Sequence, residues 1–371
     1  MQFQLTDEQR ALQDAVRSYL RDRFGPAQVR ELYENPGGDG VPAPLWKALG
    51  EQGWLAVLVP EEHDGVGLGL LDAAVLAREF GAGTVPGPWL GTVLVAEAVR
   101  LAGSPEQQAE LLPGLAAGRT KGAVALLRPG SSPSPAAAPA TASAGTLSGR
   151  LDLVEYPAVA DVLVVAAGSD AGTGLYLVDP RGTGVTVTSV DSLDRTVRLG
   201  TVTLDGAPAG RLGHSGAATV QELLDRAAVL VANDLVGIAR KALTDTVDYD
   251  RTRVQFGKPV GSFQAVQHAL ADLHIAITFA EHAATYAAHA ADVDAPDRRL
   301  AASVAKAKAA DAADAATSAM IQFHGGIGYT WEHHTHFSFK RCKRLQAAYG
   351  DAAQHREQIA RLTVDAAAVA T

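Results

Sequence analysis

A single cysteine, Cys342, stands in a chain of 371 residues. That count leaves no disulfide framework and no multi-cysteine zinc or iron–sulfur site. No uninterrupted apolar run reaches the ~20 residues that a bilayer-spanning helix requires, so no membrane insertion is expected. No Lys/Arg run supplies a basic face either: 32 Lys and Arg stand against 41 Asp and Glu, for a net charge of −9. A duplex-binding surface needs a basic face, so nucleic acid is excluded as a partner. The opening MQFQLTDEQR has neither a basic n-region nor an apolar h-region, which predicts an intracellular, cytoplasmic protein. Neither a Walker A loop nor a Gly-x-Ser-x-Gly nucleophile elbow occurs.

What is present is a hydrophobic content of 47% in 38.5 kDa, ample for a large core and more than one domain. Three zones differ in character. Residues 1–118 read as an N-terminal helical domain. Thr6-Asp7-Glu8-Gln9 is a capping-box pattern, and Leu12, Val16, Leu20 and Phe24 recur every four residues. Leu71–Phe80, Trp89–Ala102 and the start at Ser104-Pro105 extend the pattern. Residues 119–214 hold short Val-, Thr- and Leu-rich runs (Ala123–Leu127, Ala160–Ala167, Gly174–Val178, Gly184–Val190, Thr196–Leu204) bounded by Gly, Pro and Asp. They predict a small β-barrel or sandwich, with Pro129–Gly149 as a flexible Ser/Pro/Ala loop. Residues 215–371 are Ala-rich and helical again. The expected class is α+β multidomain: a helical domain, a middle β-barrel domain and a C-terminal helical bundle.

Some motifs invite over-reading. Gly65-Val66-Gly67-Leu68-Gly69 has the look of a dinucleotide fingerprint, but its last Gly is missing and no βαβ unit surrounds it. The His-rich Trp331-Glu332-His333-His334-Thr335-His336 could ligate zinc. On a helix, however, only His333 and His336 would share a face, and no second cluster completes four ligands. A His-rich surface or interface helix is the simpler reading. Cys342 follows Lys340 and Arg341 but has no paired base, so it reads as an ordinary helix residue.

Two C-terminal segments are more specific: Arg251-Thr252-Arg253-Val254-Gln255-Phe256-Gly257-Lys258-Pro259, and Ile321-Gln322-Phe323-His324-Gly325-Gly326-Ile327-Gly328-Tyr329. An arginine with a Gly-Gly step suits a diphosphate, because Arg gives bidentate contacts and bare glycines let backbone N–H groups come close. In these segments the sequence resembles the acyl-CoA dehydrogenase family, flavoproteins that insert an α,β double bond into acyl-CoA thioesters. The family's Arg-x-x-Phe-Gly…Gln pattern falls on Arg253, Phe256, Gly257 and Gln264; its Gln-x-x-Gly-Gly-x-Gly-Tyr pattern falls on Gln322, Gly325, Gly326, Gly328 and Tyr329. Pro60, Glu61 and Gly65–Gly69 match an N-terminal loop. The resemblance implies FAD as cofactor, with Arg253, Gln322 and Gly325–Gly326 on its diphosphate and adenosine across a subunit interface, and Phe256 and Gln264 lining the same site. It further implies an acyl-CoA substrate and an electron-accepting flavoprotein as partner.

Departures from the family pattern cluster around the chemistry. The Thr-Glu-Pro-Gly-x-Gly-Ser-Asp loop beside the flavin ring reads Leu127-Arg128-Pro129-Gly130-Ser131-Ser132-Pro133-Ser134, and the Trp-Ile-Thr/Ser-Asn segment reads Leu153-Val154-Glu155-Tyr156. Dehydrogenation needs a base for the α-proton. By resemblance the catalytic Glu near the C-terminus becomes Tyr349, a phenol and a poor base at neutral pH; the alternative position on the first long C-terminal helix falls on Ala227. Asp234, seven residues on and within about 20° of the same helical face, is the remaining candidate base. In so apolar a run an Asp is either paired or functional. Two classes of function follow. One is an active dehydrogenase on an unusual, bulky acyl-CoA. The other is a degenerate subunit that completes the adenosine-diphosphate side of FAD in a hetero-oligomer with a related chain, as in two-by-two assemblies of actinobacterial-type members that the sequence resembles. Diversion to another biosynthetic reaction is a third. A homo-oligomer or such a hetero-oligomer is expected.

Overall fold

The computed structural model describes residues 4–365. In chain order, the helices α1 (Asp7–Arg23), α2 (Pro26–Glu34), α3 (Ala43–Glu51), α4 (Leu70–Ala82), α5 (Trp89–Ala102) and α6 (Pro105–Ala116) precede the strands. These are β1 (Gly122–Ala125), β2 (Ala140–Ser143), β3 (Thr146–Glu155), β4 (Val162–Ser169), β5 (Gly172–Val178), β6 (Val185–Val190), β7 (Leu199–Pro208) and β8 (Gly210–Arg211). Then come α7 (Ala217–Thr252), a hairpin of β9 (Val254–Gln255) and β10 (Lys258–Pro259), α8 (Gln264–Asp292), α9 (Arg298–His324), α10 (Thr335–Ala347) and α11 (Ala352–Ala360). The order is helical, β, helical, as the composition predicts.

Local chemistry starts the helices. Thr6 caps α1 in a full capping box with Gln9, and Ser104 does the same for α6 with Gln107 and Pro105 behind it. Each box satisfies two orphan N–H groups at the helix start. Val16, Leu20 and Phe24 of the stripe read from the sequence are buried, and Leu12 is half-buried.

The chain divides into two compact units. The first comprises Leu32–Ala73 and Pro86–Ala227 and contains the sheet, whose order among the described residues is β6-β7-β3-β2-β4-β5-β8, with β1 parallel to β4. Leu147, Leu151, Leu163, Val165, Val202 and Leu204 form its apolar centre. One expectation fails here. Pro129–Gly149 is not a loop: it folds into a 3-10 turn (Pro135–Ala137), β2 and the start of β3. β2 pairs antiparallel with β3 across a two-residue turn in which Ala144 and Gly145 both have positive φ (46° and 79°), the geometry that matches strand twist. It also pairs in parallel with β4 (Ala140↔Ala167). Partners 27 residues apart supply order that a Ser/Pro/Ala composition conceals. Helix α2 was not anticipated either.

The second unit comprises the described residues up to Glu31, Ala74–Val85 and those from Ala228 onward. Its centre is α9, whose Ala301, Ala302, Ala305, Ala309, Ala310, Ala312, Ala313 and Ala316 are buried. Alanine loses no rotamer freedom on burial and lets helices approach closely. The crossing of α4 and α7 is closer still. A Cβ on Gly237 would lie 1.8 Å from the Arg78 carbonyl oxygen, and one on Gly81 would lie 2.1 Å from that of Asp234. Glycine is required at both places.

Candidate functional site

Helix α7 ends in a tight device. The Arg253 N–H donates to Tyr249 O at 2.8 Å, and the Val260 N–H returns to Arg253 O at 2.8 Å. Between them β9 and β10 pair across Phe256 (φ 54°) and Gly257 (φ 79°). A bulky residue at positive φ is held there for a reason, and Phe256 is 91% exposed. Lys258 Nζ lies 4.3 Å from the ring centre of Phe263, which meets Phe256 edge-on at 6.2 Å. The Arg253 side chain is exposed, with no hydrogen bond or ion pair among the described residues.

The Gly-Gly step follows the last turn of α9. Gly325 has φ 62° and ψ −141°, conformational space open essentially to glycine alone. Its N–H donates to Gln322 O. Gly325 and Gly326 are exposed, with open space where a side chain would stand. One stack joins the two motifs: the rings of Tyr249 and His324 lie 4.4 Å apart and nearly parallel. Tyr249 is one turn before Arg253, and His324 directly precedes Gly325. The ladder continues through His333 (4.8 Å) and His334 (4.5 Å) to Asp245, whose Oδ2 is 3.6 Å from His334 Nε2. Burial, then the imidazole charges nearby, pushes His333 down to about 4. Helix α10 begins only at Thr335, so His333 and His336 do not share the helix expected from the sequence. Gln264 is exposed at the first position of α8, and Gln322 is exposed in the last turn of α9. An unpaired arginine, an open Gly-Gly step and an exposed aromatic fit a diphosphate-bearing group such as FAD.

Asp234 lies in α7, and its carboxylate is gripped by Arg341 of α10. Arg341 Nε donates to Oδ1 at 3.1 Å and Nη2 to Oδ2 at 2.5 Å, while Nη1 donates to Val85 O at 2.9 Å. Both carboxylate oxygens are engaged. Ala227 is fully buried. Tyr349 sits in the turn between α10 and α11 with φ 54°. Two buried bases that the sequence reading passed over meet this turn. Lys306 Nζ donates to Gln346 O (2.9 Å) and Gly350 O (2.8 Å), and His355 Nε2 lies 3.0 Å from Tyr349 O. A lysine amid the alanines of α9 was the available signal.

In the sheet-bearing unit, the segment that departs from the flavin-ring loop closes on itself. The Arg128 N–H donates to Ala137 O, and its guanidinium to Ala138 O and Ala136 O. Tyr156 (φ 53°) is buried, and its hydroxyl donates to Thr196 O while accepting from the Gly87 N–H. The Arg128 and Tyr156 side chains are thus spent on structure where the resembled pattern has Glu and Asn.

Two family models match the chain: the acyl-CoA dehydrogenase N-terminal domain over residues 6–119, and the acyl-CoA dehydrogenase C-terminal domain over 214–363. The acyl-CoA dehydrogenase IpdE2 of Mycobacterium tuberculosis is 34% identical over 340 residues, covering 90% of this chain and 91% of that one. The chain belongs to the acyl-CoA dehydrogenase family. Among solved structures, a variant of the Tcur3481-Tcur3483 steroid ACAD matches with a TM-score of 0.89 and 32% identity, over 98% of this chain and 99% of that chain. The ChsE4-ChsE5 complex from Mycobacterium tuberculosis matches with a TM-score of 0.87 and 28% identity, over 97% and 98%. An acyl-CoA dehydrogenase-type, FAD-dependent oxidoreductase is therefore the class of this protein, and the resemblance read from Arg253–Gly257 and Gln322–Tyr329 pointed to it. No helix among the described residues is long and apolar enough to cross a membrane.

Proposed function

We propose that the chain works as one subunit of a two-chain acyl-CoA dehydrogenase, supplying the adenosine-diphosphate side of the FAD site, while a related chain supplies the flavin-ring wall and the catalytic carboxylate. One contrast carries the reading. The diphosphate residues Arg253, Gly325 and Gly326 are open and unspent, whereas Tyr349 stands where the family Glu falls and Asp234 is bound at both oxygens by Arg341. When bound, FAD supplies the hydride acceptor for α,β-dehydrogenation. This chain's part is to bind and orient it. Arg253 neutralises the diphosphate, the Gly325–Gly326 backbone approaches it, Gln322 and Gln264 offer amide contacts, and Phe256 covers it with an apolar ring.

Assembly follows from the same surface. Phe256, Tyr329 and Trp331 expose their rings beside these motifs, and Ile275 and Phe279 expose one stripe of α8. Apolar patches of this kind mark interfaces. Two structural relatives are described as a ChsE4-ChsE5 complex and a Tcur3481-Tcur3483 steroid ACAD, which supports pairing with a second chain and a bulky, polycyclic acyl-CoA as substrate. The compartment we assign is the cytoplasm, with an electron-accepting flavoprotein as the final partner. The test is to purify the chain alone, record its visible absorbance and add a steroid-derived acyl-CoA. Little or no flavin bleaching is expected. Stoichiometric flavin with full bleaching by the isolated chain would replace this reading with a self-sufficient homo-oligomer.

A further inference from the structure

Lys306 is fully buried, and its amine meets two carbonyls rather than a carboxylate. Burial pushes it down to about 7. A neutral amine has two N–H donors, which the carbonyls of Gln346 and Gly350 use up; an ammonium carries a third. Between those two carbonyls the chain runs through Tyr349, at φ 54°, and on to Gly350, at φ 98°. His355 of α11 holds the intervening Tyr349 carbonyl. Its Nδ1 is buried with no hydrogen-bond partner among the described residues, so the proton belongs on Nε2, which donates to Tyr349 O. Burial pushes this imidazole down to about 4 and keeps it neutral. Asp351, next in the chain, is fixed by a capping box with Gln354. An aromatic residue in left-handed backbone persists only where its surroundings over-determine it. Here three carbonyls are held by two buried bases from two helices.

We infer that Lys306 and His355 are positioning residues for the turn at position 349, gripping the successive carbonyls of Tyr349 and Gly350 and so fixing the direction in which side chain 349 leaves the backbone. Its catalytic meaning rests on the proposed reading, in which this turn corresponds to the one that bears the family's Glu. Both bases are buried. They act through the backbone.

Amide hydrogen exchange on the full chain tests the clamp without any reference to activity. Lys306→Met and His355→Phe should each speed exchange in residues 346–352 at least tenfold, while α8 and the middle of α9 keep wild-type protection. His355→Gln, which can still donate to the Tyr349 carbonyl, should restore slow exchange in the turn. Unchanged turn protection, or an equal loss in α8, α9 and the turn, overturns the inference and leaves Lys306 a packing residue. Should Lys306→Met not fold, the Phe and Gln variants at 355 give the same two outcomes. A second measurement separates the two readings. In a Tyr349→Glu background, with any partner present, Lys306→Met should slow flavin bleaching at saturating acyl-CoA with little change in half-saturation. Faster turn exchange with unaltered bleaching would keep the clamp and remove the turn from the thioester.

Discussion

Replacing Arg341 by Met should unfold the protein far more readily than a typical substitution does. The Arg341 and Asp234 side chains are only 8% and 14% exposed. Without the guanidinium, the Asp234 carboxylate loses both of its contacts to Arg341, and Val85 O loses its contact as well. Breaking one side of a buried ion pair typically costs ~3–5 kcal/mol. The site cannot relax easily, because Gly81 packs at van der Waals limits on the Asp234 backbone. Urea denaturation should therefore show a loss of about 4 kcal/mol for Arg341→Met. The double variant Asp234→Leu with Arg341→Met should recover most of it, since an apolar pair of similar volume often substitutes for a buried ion pair at no net cost. The single and double variants distinguish a structural carboxylate from a catalytic one. A general base is worth roughly 10² to 10⁴ in rate with the fold intact. If Arg341→Met fell within about 1 kcal/mol of wild type, or if Asp234→Asn folded normally but abolished flavin bleaching in the assembled enzyme, the pairing argument would fail.

Arg253→Ala should weaken FAD binding about ten- to a hundredfold, the value of ~1.5 to 3 kcal/mol for a charge-assisted phosphate contact; unchanged affinity, titrated with any partner present, would remove Arg253 from the site. Tyr349→Glu should raise bleaching by an acyl-CoA in a preparation that binds both flavin and thioester, and no gain would mean that residue 349 does not face the α-carbon. Stability should fall on acidification. His355 is depressed from 6.5 to about 4 in the fold, so the unfolded chain binds the extra proton between those pH values. Its contribution is complete above pH 6.5 and disappears as pH drops to 4, at most about 3.5 kcal/mol by the ~1.4 kcal/mol-per-unit relation. His355→Gln should flatten that stretch of a stability–pH curve measured by urea melts; an identical slope would show that other groups set it.

The parts of the fold governed by neighbours in sequence were legible, and those governed by distant partners were not. Thr6/Gln9 and Ser104/Gln107 announce their helices because a cap is complete within four residues. The β2–β3 hairpin was hidden because Ala140–Ser143 gains its order from Gly149, Ser148, Leu147 and Thr146 across the turn and from Ala167 beyond it. At the site, Arg253 and the Gly325–Gly326 step were singled out by residue chemistry, since a diphosphate asks for charge and bare backbone, and the fold leaves all three exposed. Asp234 could be narrowed only to paired or functional, because its partner Arg341 lies 107 positions away. Lys306 escaped notice for the same reason: the carbonyls that it serves are 40 and 44 positions on.

The alanine face of α9 makes that helix a stiff ruler. Its buried side chains have no rotamers to hop between, so neighbouring helices cannot absorb a shift by repacking; they must move with it. Lys306 and Gly325 are 19 residues apart, about 28 Å at the helical rise of ~1.5 Å per residue. The grip on the 349 turn and the glycine step are thus two marks on a single rod. A methyl-to-isopropyl exchange at Ala309 or Ala313 would displace both marks together, altering the backbone of the glycine step at one end and where the turn points at the other.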